Sequence, residues 1–180
     1  MKMKKLLIII GIVLAMLIMI FVLLNIWTGS ILNKKYSFNE EIYGEGKKKA
    51  LLMYQPSNGD TTKEISVHIA KLLAENDYTV IINTPGNGSS YSTDDYDLII
   101  FGSPVYFGKV STLLEDYVTD KHITNKNITL FVTGKFTDET KEENEMKNWF
   151  DDSNKINTIK TNKDESEKLD TFLKKHYLNN

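Results

Sequence analysis

DYDLIIFGSPVYFGKVSTLLEDYV, Asp95 to Val118, is the stretch whose reading decides the fold. Leu98 to Phe101 is an unbroken apolar run, with acidic residues before it and Gly102-Ser103-Pro104 after it. A short run with no polar alternation reads as a strand buried on both faces, as in a parallel sheet covered by helices. Gly-Ser-Pro ends it, because glycine admits turn conformations and proline offers no amide N–H to continue a ladder. Val110, Leu113, Leu114, Tyr117 and Val118 then recur at helical spacing. Between strand and helix lie Val105, Tyr106, Phe107, Gly108 and Lys109, which put two aromatics on a short loop at the strand's carboxyl end.

The same alternation continues on both sides. Upstream, Ala50 to Tyr54 reads as a strand closed by Gln55-Pro56, and Ile65, Ile69, Leu72 and Leu73 form a helical stripe. Thr79 to Asn83 is a β-branched strand stopped by Thr84-Pro85-Gly86. From Asn83 to Asp97 the chain is rich in Gly, Ser, Asn and Asp and has no stripe, which predicts a loop or a single turn. Downstream come a strand over Asn127 to Thr133, a helix marked by Met146, Trp149 and Phe150, a weaker strand over Lys155 to Lys160, and a last helix marked by Leu169, Phe172, Leu173 and Tyr177. Alternating strands and helices predict an α/β fold: a doubly wound, parallel, five-stranded sheet with crossover helices on both faces.

The N-terminal region has a different character. Leu6 to Leu24 carries no charge, and Trp27 follows at a position suited to a membrane interface. The run approaches the ~20 apolar residues that span a bilayer core. It is longer than the apolar region of a signal peptide and lacks a clear small-x-small cleavage site, so it reads as an uncleaved single-pass anchor in the lipid bilayer from Leu6 to Trp27. Lys2, Lys4 and Lys5 precede it, with Lys34 and Lys35 shortly after. By the positive-inside rule this places the N-terminus in the cytoplasm and, by a small margin of lysines, the domain outside. The organisation expected is thus an anchor over 1–29, a linker over 30–48 with scattered aromatics (Tyr36, Phe38, Tyr43), and a folded domain over 49–180.

Composition narrows the function. There is no cysteine, which excludes disulfides, thiolate metal sites and cysteine nucleophiles. The three lysines before the anchor are part of a formal net charge of −2, so the remainder is more acidic still and carries no nucleic-acid footprint. Every basic residue is lysine, so no guanidinium clamp for phosphate exists. His68, His122 and His176 have no second ligand at metal spacing and read as structural. Glu142, Glu143 and Glu145 beside Lys141 and Lys147 read as a solvated helix face, and Trp149 as packed under the sheet. No acid–base or nucleophilic constellation stands out, so no catalytic side chain is assigned.

In a doubly wound sheet, ligands bind beyond the carboxyl ends of the strands. Three loops sit there. The first contains Ser57, Asn58, Gly59, Asp60, Thr61 and Thr62 at a helix N-terminus, where free amides and the helix dipole favour an anion. The same residues also suit ordinary capping, with Asp60 or Thr61 as N-cap and Thr61 and Glu64 at capping-box spacing. The second offers Ser103, Pro104, Val105, Tyr106, Phe107 and Gly108, either as a platform for a planar heterocycle or as a turn whose aromatics close the core. The third, Thr133, Gly134, Lys135 and Phe136, is either a wall of the same site or a plain connector.

Asp95 to Val118 resembles the segment of flavodoxins and flavin-dependent NAD(P)H reductases that lies beside the isoalloxazine ring. ALLMYQPSNGDTTKEIS, Ala50 to Ser66, is similar to their first strand and phosphate loop. The resemblance to the flavodoxin-like superfamily implies FMN as cofactor, held by the three loops, and an unknown redox partner. The family loop reads Ser-x-Thr-Gly-x-Thr; Gly59 and Thr61 match it. Pro56 removes a hydroxyl and an N–H, while Asp60 sets a carboxylate near the expected phosphate, which predicts weakened affinity. Two functions from different classes follow: membrane-tethered electron transfer or flavin-dependent reduction, of quinone or flavin for example, or a flavin-free binding module on the same fold.

Overall fold

The structure, a computed structural model, describes residues 2–36, 40–86, 91–138 and 140–178. Phe38 and part of the Asn83–Asp97 crossover lie outside them. The chain forms two compact units, Met1–Ile31 and Leu32–Asn180. The first is essentially one helix, α1 (Lys2–Leu32), which runs past the expected end of the anchor. Its large apolar side chains from Met3 to Trp27 are exposed on all sides. Asn25 Nδ2 and Thr28 Oγ1 donate to the carbonyls of Phe21 and Leu24 one turn back.

The second unit contains β1 (Glu41–Tyr43), β2 (Lys48–Tyr54), α2 (Thr61–Ala74), β3 (Tyr78–Asn83), β4 (Leu98–Pro104), α3 (Thr112–Lys121), β5 (Asn127–Thr133), α4 (Lys141–Lys147), β6 (Lys155–Thr161) and α5 (Ser166–Leu173). The sheet has six strands in the order β1-β3-β2-β4-β5-β6, not the five expected. The extra strand is β1, within the stretch read as linker. It pairs antiparallel with β3, Ile42 opposite Ile81, while the other five strands are parallel. A short antiparallel strand that covers an outer parallel strand hides its unpaired amides. Among its described residues, the helix-poor crossover before β4 holds one 3-10 turn, Thr93–Asp95, in keeping with the loop or single turn expected.

Side-chain alternation along β2 divides the core. Ala50, Leu52 and Tyr54 face α2 and α5, packing with Ile65, Ile69, Leu73, Leu169 and Leu173. Leu51 and Met53 face α3 and α4, packing with Leu114, Val118, Met146 and Phe101, and Trp149 and Phe150 border this second cluster. Two buried faces explain why β2, β4 and β5 read as continuous apolar runs. Gly102 is required by packing. A Cβ there would stand 2.0 Å from the ring of Phe131, its neighbour on β5.

The chain leaves β2 toward β3 on one side and reaches β4 on the other. The carboxyl ends of β2 and β4 therefore form the switch point, where crossovers diverge and leave a crevice.

Candidate functional site

At the end of β2 the Gln55 N–H donates to Gly102 O of β4, so the chain stays in the ladder until it turns at Pro56. The turn delivers Asp60 to the N-cap of α2 in a left-handed conformation, φ 57°. Its side chain makes no capping bond, and the Thr61–Glu64 capping box does not form: the Glu64 N–H donates to Asp60 O as the first helical bond. Ser57 Oγ instead accepts the Thr62 N–H at 3.2 Å. The N–H groups of Gly59, Asp60 and Thr61 find no acceptor among the described residues. Uncapped amides at the start of a 14-residue helix are the donors that an anion site needs.

The second loop is a tight hairpin. Tyr106 and Lys109 exchange backbone hydrogen bonds, each 3.1 Å, across Phe107 (φ 52°) and Gly108 (φ 69°). Two consecutive positive φ values define a type I′ turn, which favours Asn-Gly and is costly for a bulky residue such as Phe107. Ser103 is buried and accepts the Ser111 N–H at 2.9 Å, so it anchors the hairpin's return from below. The third loop is fixed to both neighbours: Val105 N–H donates to Thr133 O, and Gly134 N–H to Thr161 O. The Thr62 and Thr133 hydroxyls, 2.8 Å apart and buried, tie the first loop to the third.

These loops enclose a cavity of about 340 Å³. Ser57, Asn58, Gly59 and Thr61 line it from the first loop, Pro104, Val105 and Tyr106 from the second, and Thr133, Gly134 and Lys135 from the third. Thr62 and Ser103 sit beneath it as supports. Phe107, Gly108 and Phe136 are not in its lining, and both phenylalanines are 66% exposed. Asp60 and Pro56 line a second cavity instead, about 210 Å³, with Tyr36, Glu41, Tyr54 and Lys63. The charge of Asp60 is felt there. Burial, then Glu41 and Asp60, pushes the Tyr54 hydroxyl up to about 12.

A fourth wall was not legible in the sequence. Asn162, Lys163 and Asp164, from the loop after β6, complete the cavity lining. Their one signal is position, since β6 ends at the same sheet edge as the other parallel strands. Asn162 Oδ1 accepts the Asp164 N–H at 2.9 Å and shapes this turn. Tyr106 is also placed in a way the sequence did not suggest, for its hydroxyl accepts the Asn58 N–H at 2.7 Å and links the second loop to the first.

The solvated-face reading of α4 is incorrect for two of its three glutamates. Glu142 and Glu143 are buried, and Glu142 Oε2 accepts a 2.8 Å hydrogen bond from Lys160 Nζ of β6, itself buried. This ion pair lies directly below the site: built-on Cβ atoms at Gly134 and Gly108 would stand 3.5 Å from Lys160 Cε and 3.8 Å from Glu142 Oε1. Burial raises the Glu142 carboxyl, but the Lys160 hydrogen bond, its own backbone and the charges of Lys160 and Lys141 outweigh that and leave it below the usual range. His68 does have a carboxylate partner, Asp170 at 2.6 Å across α2 and α5. No cluster of three metal-ligating side chains occurs among the described residues.

Ser57 and Thr61 hydroxyls, free amides and two lysines suit a phosphate, while the half-buried Tyr106 and apolar Val105 suit a flat heterocycle. The residues present thus fit FMN in kind. The Asn58 amide, already bound by Tyr106, is the departure.

A family model described as a flavodoxin domain matches residues 51–176. No curated protein matches the chain in sequence. Among solved structures it is similar to a flavoprotein in complex with FMN from Lactobacillus acidophilus NCFM, at 19% identity and TM-score 0.50, over 68% of this chain and 98% of that one. It is similar to the flavodoxin of Streptococcus pneumoniae TIGR4, at 17% identity and TM-score 0.53, over 69% and 94%. Flavodoxin 2 from Bacillus cereus matches at 21% identity and TM-score 0.50, over 69% and 94%. At these identities the likeness concerns the fold.

Proposed function

The chain belongs to the flavodoxin domain family, and from that premise we propose that it is a membrane-tethered FMN protein that carries electrons or performs flavin-dependent reduction. The observation that carries this reading is the run of unclaimed amides at Gly59, Asp60 and Thr61 at the start of α2, of which Gly59 and Thr61 line a cavity walled by the loops after four parallel strands. FMN in a structural neighbour supports it. When bound, FMN supplies the redox chemistry. The chain's own part is binding and orientation. The α2 amides with Ser57 and Thr61 hold an anion, Lys135 and Lys163 offset its charge, and Tyr106 and Val105 bound the ring.

The test is to add FMN to the detergent-purified full chain. Quenching of flavin fluorescence at micromolar protein is expected, and its absence overturns the reading. Mixing the loaded protein with NADPH then separates the two activities, since rapid bleaching identifies a reductase and its absence a carrier.

The membrane part of the proposal rests on α1, long enough and apolar enough to cross a bilayer. In this reading it is a single-pass anchor with its N-terminus in the cytoplasm, and the lysine balance favours the domain outside by a small margin. Resistance of the full chain to alkaline extraction from membranes is the expected result.

A second reading has one observation in its favour. The Tyr106–Asn58 hydrogen bond satisfies an amide that a phosphate loop leaves open, as a flavin-free binding module on this fold would. A preparation that keeps stoichiometric flavin through gel filtration rules it out.

A further inference from the structure

We infer that the smaller cavity beside α2 is a second binding site, which takes a small molecule carrying a primary ammonium on a short apolar chain. The inference goes beyond the flavin reading and does not depend on it.

The cavity lies at the carboxyl ends of β2 and β3, whose residues Tyr54, Ile82 and Asn83 line it. Glu41 of the edge strand β1 and the loop before α2 add further walls. That loop serves two cavities. Ser57, Asn58, Gly59 and Thr61 line the larger one, Pro56 and Asp60 the smaller. Pro56 and Asp60 are the two loop residues that suit a phosphate least, one for its missing N–H and the other for its charge. The Asp60 side chain does not cap α2 either, although the residue stands at the N-cap. A carboxylate that neither caps its helix nor lines the anion cavity is explained by a cation in the smaller one.

Two carboxylates alone make no site. The second observation is a buried phenol. Tyr54 is 6% exposed and lines the cavity, and its hydroxyl has no hydrogen-bond partner among the described residues. A buried polar group without a partner costs free energy, and a ligand that bonds to it removes that cost. Burial raises the Tyr54 hydroxyl, and Glu41, Asp60 and Tyr36 push it further, to about 12. All three line the same cavity, so the phenol stands in a negative field and keeps its proton at neutral pH. Thr84 Oγ1, on another lining residue, is also buried and without a partner among the described residues. Glu41 has one oxygen engaged, Oε2, which accepts from the Tyr43 hydroxyl at 2.7 Å.

The cavity thus offers carboxylate, phenol and hydroxyl oxygens as acceptors, beside the Tyr54 ring and the apolar Pro56 and Ile82. An ammonium brings three donors and the opposite charge, and a short alkyl stem suits the apolar wall and the ring face. Lys63 also lines the cavity, but it is exposed and forms an ion pair with neither carboxylate among the described residues. The two carboxylates therefore still outweigh it. No three metal-ligating side chains gather here among the described residues, which favours an organic cation over a divalent metal. At about 210 Å³ the cavity is smaller than the sites of roughly 300–1,000 Å³ that take drug-sized ligands, so the molecule is short.

The probe is butylammonium chloride, titrated by calorimetry into the detergent-purified full chain at low ionic strength and without FMN, with detergent alone as the blank. Sodium chloride and calcium chloride are titrated at matched ionic strength. Saturable binding of butylammonium, and of neither salt, is expected. Glu41→Gln and Asp60→Asn should each weaken it several-fold, and Tyr54→Phe, which keeps the ring, a few-fold. Lys63→Gln removes an exposed competing charge and should tighten it a few-fold, a gain that a folding defect does not imitate. No saturable heat with the parent chain overturns the inference, and so does binding that Glu41→Gln and Asp60→Asn leave unchanged. Saturable binding of calcium in place of butylammonium makes this a metal site and overturns the inference as well. Every outcome is read without flavin, so failure here is distinct from failure of FMN to bind.

Discussion

The hydroxyl of Tyr106 accepts the backbone N–H of Asn58 at 2.7 Å, across 48 residues of sequence. The bond joins the hairpin after β4 to the loop that begins α2, so one side chain belongs to two walls of the cavity. It also occupies a donor at the helix N-terminus. A ligand anion that needs this amide competes with the phenol for it, and the net cost of exchanging one hydrogen bond for another is small, about 1 kcal/mol.

Tyr106→Phe and Tyr106→Ala should therefore diverge. The phenylalanine variant keeps the ring and frees the Asn58 amide, so FMN should bind a few-fold more tightly. The alanine variant loses an aromatic contact of about 0.5–1.5 kcal/mol and should bind up to roughly tenfold more weakly. Fluorescence titration with FMN measures both. Equal affinities in all three proteins would place the ring away from Tyr106.

Two glycines of this half of the sheet should respond in opposite ways to alanine. At Gly102 a Cβ meets the Phe131 ring at 2.0 Å, in a strand with no room to move, and overpacking of this kind costs about 1–3 kcal/mol or more. At Gly59 a Cβ meets no atom within 4 Å. Gly59→Ala should keep the parent's melting temperature while weakening FMN, because the added methyl stands where the loop backbone must approach a phosphate. Thermal unfolding and FMN titration of both variants separate the packing role from the binding role.

What the sequence disclosed and what it hid differ in range. Asn127–Thr133 was legible at both ends, because an apolar run between a lysine-rich turn and Thr-Gly needs no knowledge of its neighbours. Gly102-Ser103-Pro104 marked the end of β4 for the same local reason. β1 was hidden, since three residues at a sheet edge, with Ile42 turned outward, carry no period to detect. The glutamates of α4 were misread because the partner that buries Glu142, Lys160, lies 18 residues on in another element. The cavity wall at Asn162 to Asp164 and the Tyr106–Asn58 bond likewise exist only once β4 and β6 have joined β2 in one sheet.

Lys135 and Lys163 line the cavity from two different loops and are both exposed. If they offset a phosphate dianion, their effect is electrostatic and screened by salt. The double variant Lys135→Gln, Lys163→Gln should weaken FMN several-fold at low ionic strength, with the difference shrinking near 1 M salt, where the Debye length falls to about 3 Å. Titrations of the parent and the variant at low and high salt give the comparison. A salt-independent difference would point to altered loop shape rather than charge.

The buried pair under the site makes stability depend on pH at the acid end. The Glu142 carboxyl is held below its ordinary value in the folded protein, against the pull of its own burial, chiefly by the hydrogen bond from Lys160. A depressed folded-state value means the unfolded chain binds the proton more readily. The stabilisation is therefore fully present above the unfolded value of about 4.3 and is lost as the pH falls through the folded one. Lys160→Met removes the hydrogen-bonded cation and leaves a carboxylate with 4% side-chain exposure and only the charge of Lys141 near it, a change that costs about 3–5 kcal/mol at neutral pH. Its effect on pH dependence has the opposite sign to the parent's. With burial, the largest influence, no longer offset by the hydrogen bond and charge of Lys160, Glu142 should titrate above its unfolded value, so acidification from neutral pH toward 4 should narrow the stability gap between variant and parent. Glu142→Gln with Lys160→Met removes both charges and should recover part of the loss at neutral pH. Urea unfolding of the three proteins from pH 7 to 4 reads these differences, and a gap that stays constant over that range would show that Glu142 is not the group that titrates.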